Sequence, residues 1–259
     1  MRLSFLLFFL LTAIAVFFGG GPGSGGNTVN ESFRQAKAWL ETVYHDRRTT
    51  LYCGARFTEQ KRLRLPAGFA TASGRRPERM TWEHAVPVEH FGRTFAAWNG
   101  DPVCVRRDGT PFRGRKCARK VSREFRLMEA DMHNLFPAVD AVNSARGNRS
   151  FAELPEAAPA FGTCPAKIAG NRFEPPDAAK GEVARAALYM AATYPRRYRP
   201  DPEQRRLFEA WDAAYPPTPW ECQRARRIER LQRNANAFVN ARCQSGGLWR
   251  AGESRSGTG

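Results

Sequence analysis

After Met1-Arg2 the chain runs LSFLLFFLLTAIAVFF, residues 3–18, without a charge, and then turns to GGGPGSGG. A positive start, an apolar stretch and a small-residue exit have the form of a secretory signal peptide. The stretch is shorter than the about 20 residues a spanning helix needs, and no basic stop-transfer cluster follows. An uncleaved anchor is the alternative. Export constrains the rest of the chain through its six cysteines, at 53, 104, 117, 164, 222 and 243. An even count in an oxidising compartment reads as disulfides that staple the fold. None stand in tight Cys-x-x-Cys pairs, so structural zinc is poorly supported. Cys104 with Cys117 and Cys222 with Cys243 are close enough to be local pairs, but spacing alone leaves the connectivity open.

The formal charge is +16, and only Arg2 of that lies in the leader. Such a balance suits a polyanionic partner: nucleic acid, an anionic membrane surface or an acidic polysaccharide. Arginine outnumbers lysine, which favours phosphate, because the guanidinium fork matches phosphate oxygens.

The chain divides into a leader and glycine-rich exit over 1–26, a single domain over 27–245, and a tail over 246–259 expected to be disordered. Ser32 opens a predicted helix with Phe33, Ala36, Leu40 and Val43 at helical spacing. Residues 50–120, broken by Gly and Pro, read as strands and loops. Pro137 and Gly147 bracket a short predicted helix. Residues 152–177 read as an irregular crossing. The C-terminal third is helical: Asp201-Pro202-Glu203-Gln204 and Thr218-Pro219-Trp220-Glu221 are start signals with a cap, a first-turn proline and a third-position acceptor. Leu207, Phe208, Trp211 and Tyr215 form an apolar stripe that reads as core. In the last of these helices Ile228 and Leu231 face inward, and Arg224, Arg227 and Arg230 share another side. That side is expected to be solvated or to touch phosphate.

Two of the four histidines lie in 80-MTWEHAVPVEHFGR-93. A helical zinc motif requires histidines four apart; His84 and His90 are six apart and Pro87 breaks the helix between them. On a regular strand Glu83 and His84 point to opposite faces. Near a strand end they can serve one site, the carboxylate holding a hard cation and the neutral imidazole taking a proton from water. Further oxygen ligands are needed. Glu129, Asp131, His133, Asn134, Asp140 and Asn143 are candidates downstream, and a structural hydrogen bond is the alternative reading of the Asn143 amide.

These residues resemble the endonuclease I family of periplasmic and secreted bacterial nucleases. The resemblance is carried by Trp82-Glu83-His84-x-Val86-Pro87 with Phe91-Gly92. It continues in Met128-Glu129-Ala130-Asp131-x-His133-Asn134-Leu135-x-Pro137 and in Val142-Asn143-x-x-Arg146-x-Asn148. Leu51-Tyr52-Cys53-Gly54 and Pro219-Trp220-Glu221-Cys222 extend it over roughly residues 32 to 243. It implies an α+β fold, mainly helical, built as one disulfide-stapled domain around a ββα-metal core. The implied activity is sequence-non-specific cleavage of DNA, and of RNA, by a monomer bound to the phosphate backbone. One divalent cation is implied, Mg2+ first, with Ca2+ or Mn2+ as alternatives. Glu83 and Asn143 would ligate it, His84 would be the general base, Glu129 a supporting acid, and Arg115 a phosphate contact. Relatives carry cysteines where Ala55 and Ala67 stand. With that pair absent, the resemblance implies Cys53–Cys164 beside the two local bridges. It gives Glu89-His90 no catalytic role, and that pair is expected at the rim. The rival readings are an exported basic protein that binds DNA for uptake without cutting it, and a protein adhering to acidic envelope polymers.

Overall fold

The Ser32 hydroxyl accepts the Gln35 amide hydrogen and opens α1 (Phe33–Val43), whose Ala36, Leu40 and Val43 are buried. This helix lies near the start of a computed structural model that describes residues 25–249. The apolar leader and residues 250–259 lie outside the described residues.

After α1, the two-residue strands β1 (Arg56–Phe57) and β2 (Leu63–Arg64) pair antiparallel and lead to β3 (Met80–His84). The segment predicted as strands and loops also contains helices: α2 (Val88–Gly92) and α3 (Ala96–Asn99). The small hairpin of β4 (Cys104–Val105) with β5 (Pro111–Phe112) follows, then α4 (Arg115–Val121). Pro87 accounts for the first of these helices. It ends the extended chain, and with φ −54° it stands just ahead of a new helix, where its missing N–H costs nothing.

Next come α5 (Arg123–Glu129), a 3-10 turn (Met132–Asn134), β6 (Leu135–Val139) and α6 (Asp140–Arg146). β6 runs antiparallel to β3, with His84 opposite Leu135 and Met80 opposite Val139. Pro137 is not the first helical residue that the sequence predicts; it sits mid-strand opposite Trp82. A proline is tolerated there because both strands of a two-stranded ribbon are edges, and the Pro137 carbonyl still accepts the Leu51 amide at 2.8 Å. Gly147, at φ +50°, ends α6. β3, β6 and α6 make one ββα unit.

The supposed irregular crossing carries three strands of a sheet. β7 (Ser150–Phe151), β8 (Pro159–Phe161), β9 (Cys164–Ala169) and β10 (Arg172–Glu174) pair in the order β7-β10-β9-β8. Gly162 makes the turn between β8 and β9 possible: its φ is +63°, and a Cβ there would lie 2.1 Å from the Gly68 carbonyl oxygen.

Four helices close the fold: α7 (Asp177–Thr193), α8 (Pro202–Ala214), α9 (Pro219–Gln232) and α10 (Ala237–Ser245). Asp201 and Thr218 cap α8 and α9 by accepting the amides of Gln204 and Glu221. Phe208 and Trp211 are buried, with Leu207 and Tyr215 packed against the same core. The arginine side of α9 departs from expectation. Arg224 is buried and donates to Tyr44 Oη and to the carbonyls of Met132 and Leu135, over the Phe136 ring. Arg227 chelates Asp46. Both guanidinium groups bond other elements, so only Arg230 of the three remains without such a partner among the described residues.

Bridges close between Cys53 and Cys164, Cys104 and Cys117, and Cys222 and Cys243. Within the segment expected to be disordered, Leu248 donates its amide to the Cys243 carbonyl, and Trp249 packs beside the Cys222–Cys243 bridge. Among the described residues no helix is long and apolar enough to cross a membrane.

Candidate active site

β3 ends at His84, and its alternation sorts the site. Thr81 and Glu83 face α6: Asn143 donates to Thr81 Oγ1 at 2.9 Å, and Arg146 donates to Glu83 Oε1 at 2.9 Å. Trp82 and His84 face α1: Trp82 packs edge-on to Tyr44, and the His84 ring stacks on Phe33 with centroids 5.1 Å apart. Glu83 and His84 therefore do point oppositely, as a strand requires. The strand stops at His84, and the chain turns at Ala85-Val86-Pro87. Arg146, 1% exposed, holds that end in place, donating also to the carbonyls of His84 and Ala85.

His84 is buried, and its Nε2 lies 2.9 Å from the Glu129 carbonyl oxygen. A carbonyl only accepts, so Nε2 carries the hydrogen and the lone pair of the neutral ring is on Nδ1. Nδ1 has no hydrogen-bond partner among the described residues. Burial, and then the positive charge of Arg115, push the imidazole pKa down to about 4. The ring is neutral at physiological pH.

The Glu129 side chain has a different task from its carbonyl. It is 1% exposed and accepts from Arg115 Nε at 2.5 Å and from Arg119 Nε at 2.7 Å. Burial pushes the carboxyl up, but the hydrogen bond from Arg119 and the charge of Arg115 outweigh this and hold it below the usual range. Glu129 thus orients two arginines. Arg115 also lies over the second neighbour of His84, with its guanidinium carbon 5.3 Å from the Phe33 ring centroid. Both arginine side chains remain partly exposed, at 38% and 43%.

Glu83 and Asn143 have the donor chemistry of a hard-cation site. Glu83 Oε1 accepts from Tyr52 and Arg146. The Asn143 amide nitrogen is committed to Thr81, so its carbonyl oxygen is left for another partner. Burial pushes the Glu83 carboxyl pKa up, against the opposing charge of Arg146. No cluster of three or more His, Cys, Asp or Glu among the described residues could hold a metal. Two protein oxygens with water and phosphate oxygens filling the remaining positions is the pattern that suits Mg2+, and the pair fits that pattern.

The other downstream candidates are structural. Asp131 accepts from Tyr189, Tyr194 and Gln232. His133 Nε2 bonds the Asn234 carbonyl. Asn134 bonds both the amide and the carbonyl of Val86, and Asp140 accepts the Ala141 amide. Glu89 pairs with Arg93 beside α2 and with Asn148, and His90 Nε2 bonds the Asn148 carbonyl, so the pair ties α2 to the chain just after α6. The sequence reading missed Phe33, Arg119 and Arg146 as site residues. Arg119 had a signal, since it follows Arg115 by four residues and shares its helix face once 115–121 is helical. Phe33 had none, because only the tertiary fold brings α1 to β3.

The endonuclease I family pattern matches residues 35–243. An extracellular deoxyribonuclease of Aeromonas hydrophila is 37% identical over 224 residues, 83% of this chain and 91% of its own length. A periplasmic deoxyribonuclease of the same organism is 37% identical over 222 residues, 83% of this chain and 87% of its own. Endonuclease-1 of Buchnera aphidicola is 30% identical over 220 residues, 82% of each chain. With the ββα unit and its neutral histidine in place, the match over most of the sequence settles the family: the chain belongs to the endonuclease I family and is an endonuclease.

Proposed function

We propose that the protein is an exported, divalent-metal-dependent nuclease that hydrolyses phosphodiester bonds in DNA, and in RNA, with little sequence preference. The observation that carries this reading is the Nε2 contact of His84 with the Glu129 carbonyl. It commits one ring nitrogen as donor and leaves Nδ1 as a base in a ring that stays neutral.

In this scheme His84 Nδ1 takes a proton from the attacking water, and the oxygen adds to phosphorus as the 3′-oxygen leaves. The Glu129 carbonyl and the Phe33 ring hold the imidazole in one orientation. Arg115 and Arg119 present their remaining donors to the nonbridging oxygens of the scissile phosphate, and the Glu129 carboxylate keeps both side chains aligned. Glu83 and Asn143 would hold the cation, Mg2+ first. When bound it supplies polarisation of the phosphoryl oxygens and charge for the departing oxygen. Contacts of this kind go to phosphate and read no base edge.

DNA as substrate is supported by the relatives named deoxyribonuclease. RNA is supported by an extracellular ribonuclease of Bacillus amyloliquefaciens, 43% identical over 68 residues, 25% of this chain and 22% of its own length. Export is supported by the apolar leader, the three disulfides and the extracellular and periplasmic names of the relatives.

The test is plasmid cleavage by the oxidised mature chain, with Mg2+, Ca2+ or Mn2+ and with EDTA. Cleavage that needs metal is expected, and His84→Ala should lose about 10²- to 10⁴-fold of it while retaining DNA binding. No cleavage with any of the three cations would favour a DNA-binding protein without nuclease activity; full activity in the variant would remove His84 from its role.

A further inference from the structure

Arginine is concentrated at a second place, away from His84. A groove of about 1570 Å³ is bounded by the chain after α1, by β1 and β2, by α9 and by the residues after α10. Arg47, Arg48, Arg56, Arg64, Arg230 and Arg233 all line it. None of these six has an ion-pair partner among the described residues. The lining holds two acidic residues, Asp46 and Glu229, and Asp46 is already chelated by Arg227.

The strand register makes the concentration harder to ascribe to folding. Arg56 and Arg64 stand directly opposite each other across the antiparallel β1–β2 pair, and both are exposed. Like charges in that position oppose strand pairing. Two guanidinium groups held side by side at a groove wall are matched by a bound polyanion. The aromatic residues do not offer stacking platforms: Trp220 has Arg47 and Arg227 over its ring, and Trp249 has Arg226. The groove has the chemistry to hold phosphates, with its rings already covered by guanidinium groups.

α1 sets the distance. Phe33, its first residue, stacks on His84, and the chain leaving its far end forms the groove wall at His45–Thr49. Eleven helical residues at about 1.5 Å each separate the two places by about 16 Å. That equals about five nucleotides of one strand at about 3.4 Å per nucleotide.

We propose that this groove is a second binding site for backbone phosphates of the nucleic-acid substrate, engaging it about five nucleotides from the bond that is cut. The identity of the polyanion rests on the nuclease reading given above; the anion site itself does not. The groove supplies affinity that increases with substrate length and falls with salt, and it leaves the chemistry at His84 untouched.

The experiment compares the wild-type mature protein with Arg48→Ala/Arg56→Ala/Arg64→Ala. Binding of a fluorescent 30-base-pair duplex is measured by anisotropy in EDTA across a salt series. Hydrolysis of bis(p-nitrophenyl) phosphate, too small to reach the groove, is measured with Mg2+ or Mn2+. The triple variant should bind the duplex on the order of tenfold more weakly at 0.1 M salt, with a log–log salt slope shallower by about 2 to 3. Its hydrolysis of the small ester should equal that of the wild type. An unchanged duplex Kd and slope would overturn the proposal. So would equal losses on duplex and small ester, since that places the arginines in the catalytic site. If the triple variant fails to fold by circular dichroism, single Arg56→Gln and Arg64→Gln variants answer the same question. Should the wild type cleave nothing while the variant still loses duplex affinity, the nuclease reading fails and the groove stands.

Discussion

His84 Nε2 lies 2.9 Å from the main-chain carbonyl of Glu129, while the Glu129 carboxylate grips Arg115 and Arg119. One residue thus orients the imidazole through its backbone and two arginines through its side chain.

Substituting the side chain alone separates these tasks. Glu129→Gln keeps the carbonyl contact to His84 but loses the charge that holds the two arginines. We expect a stability loss of about 1–3 kcal/mol, read as a lower Tm. We also expect a fall in kcat/KM on DNA, with the acid limb moving to lower pH, because the Glu129 charge raises the His84 pKa. A limb that moves to higher pH in this variant would argue against His84 as the titrating group.

The acid limb of activity reports the histidine itself. Burial and the Arg115 charge hold His84 at about 4, below the ordinary 6.5. The depressed value means that the base form persists as pH falls, so kcat/KM should decline only below the ordinary imidazole range. Removing a positive neighbour raises the pKa. In Arg115→Gln the limb should therefore move to higher pH, whatever the change in maximal rate. A limb that does not move would argue against His84 as the titrating base.

Asn143 offers one oxygen on the face of β3 that carries Glu83. Asn143→Ala should raise the Mg2+ concentration for half-maximal cleavage by about 10- to 100-fold, a range typical of perturbed metal sites. Excess Mg2+ should restore part of the rate. Thr81→Val, which removes only the partner of the amide nitrogen, should have a smaller effect. Identical Mg2+ titrations for Asn143→Ala and wild type would dismiss Asn143 as a ligand.

Acid stability has a separate origin under α7. Burial opposes ionisation of Glu174, but Lys180, the Leu154 amide and Lys167 hold its carboxyl at about 2. A folded value below the unfolded 4.5 means that the stabilisation is present above about 4.5 and is lost as pH falls through about 2. Tm should drop across that window. Glu174→Gln should start from a lower Tm at pH 6 and show a flatter decline. Parallel curves would remove Glu174 as a cause.

The parts legible in the sequence are those settled within a few residues. Ser32, Asp201 and Thr218 cap helices because an N-cap oxygen reaches an amide three positions on, a purely local geometry. Pro87 excludes a helical zinc motif for the same local reason. The alternation of Glu83 and His84 is local too: adjacent strand residues face opposite ways, here toward α6 and α1.

The tertiary structure decided the rest, because long-range pairing sets it. Pro137 looked like a helix start and became a strand residue when β6 paired with β3. Residues 152–177 looked irregular because short strands with Pro and Ala carry little periodic signal, and the strands there are ordered by pairing with one another. Most of all, the sequence shows an arginine excess without saying what each arginine does. Arg146, Arg185 and Arg224 are spent inside, on carbonyls and buried carboxylates. Arg115 and Arg119 are aimed by Glu129, and seven more line a groove one helix away. Charge is a property of composition; its direction depends on which partners folding brings within hydrogen-bond reach.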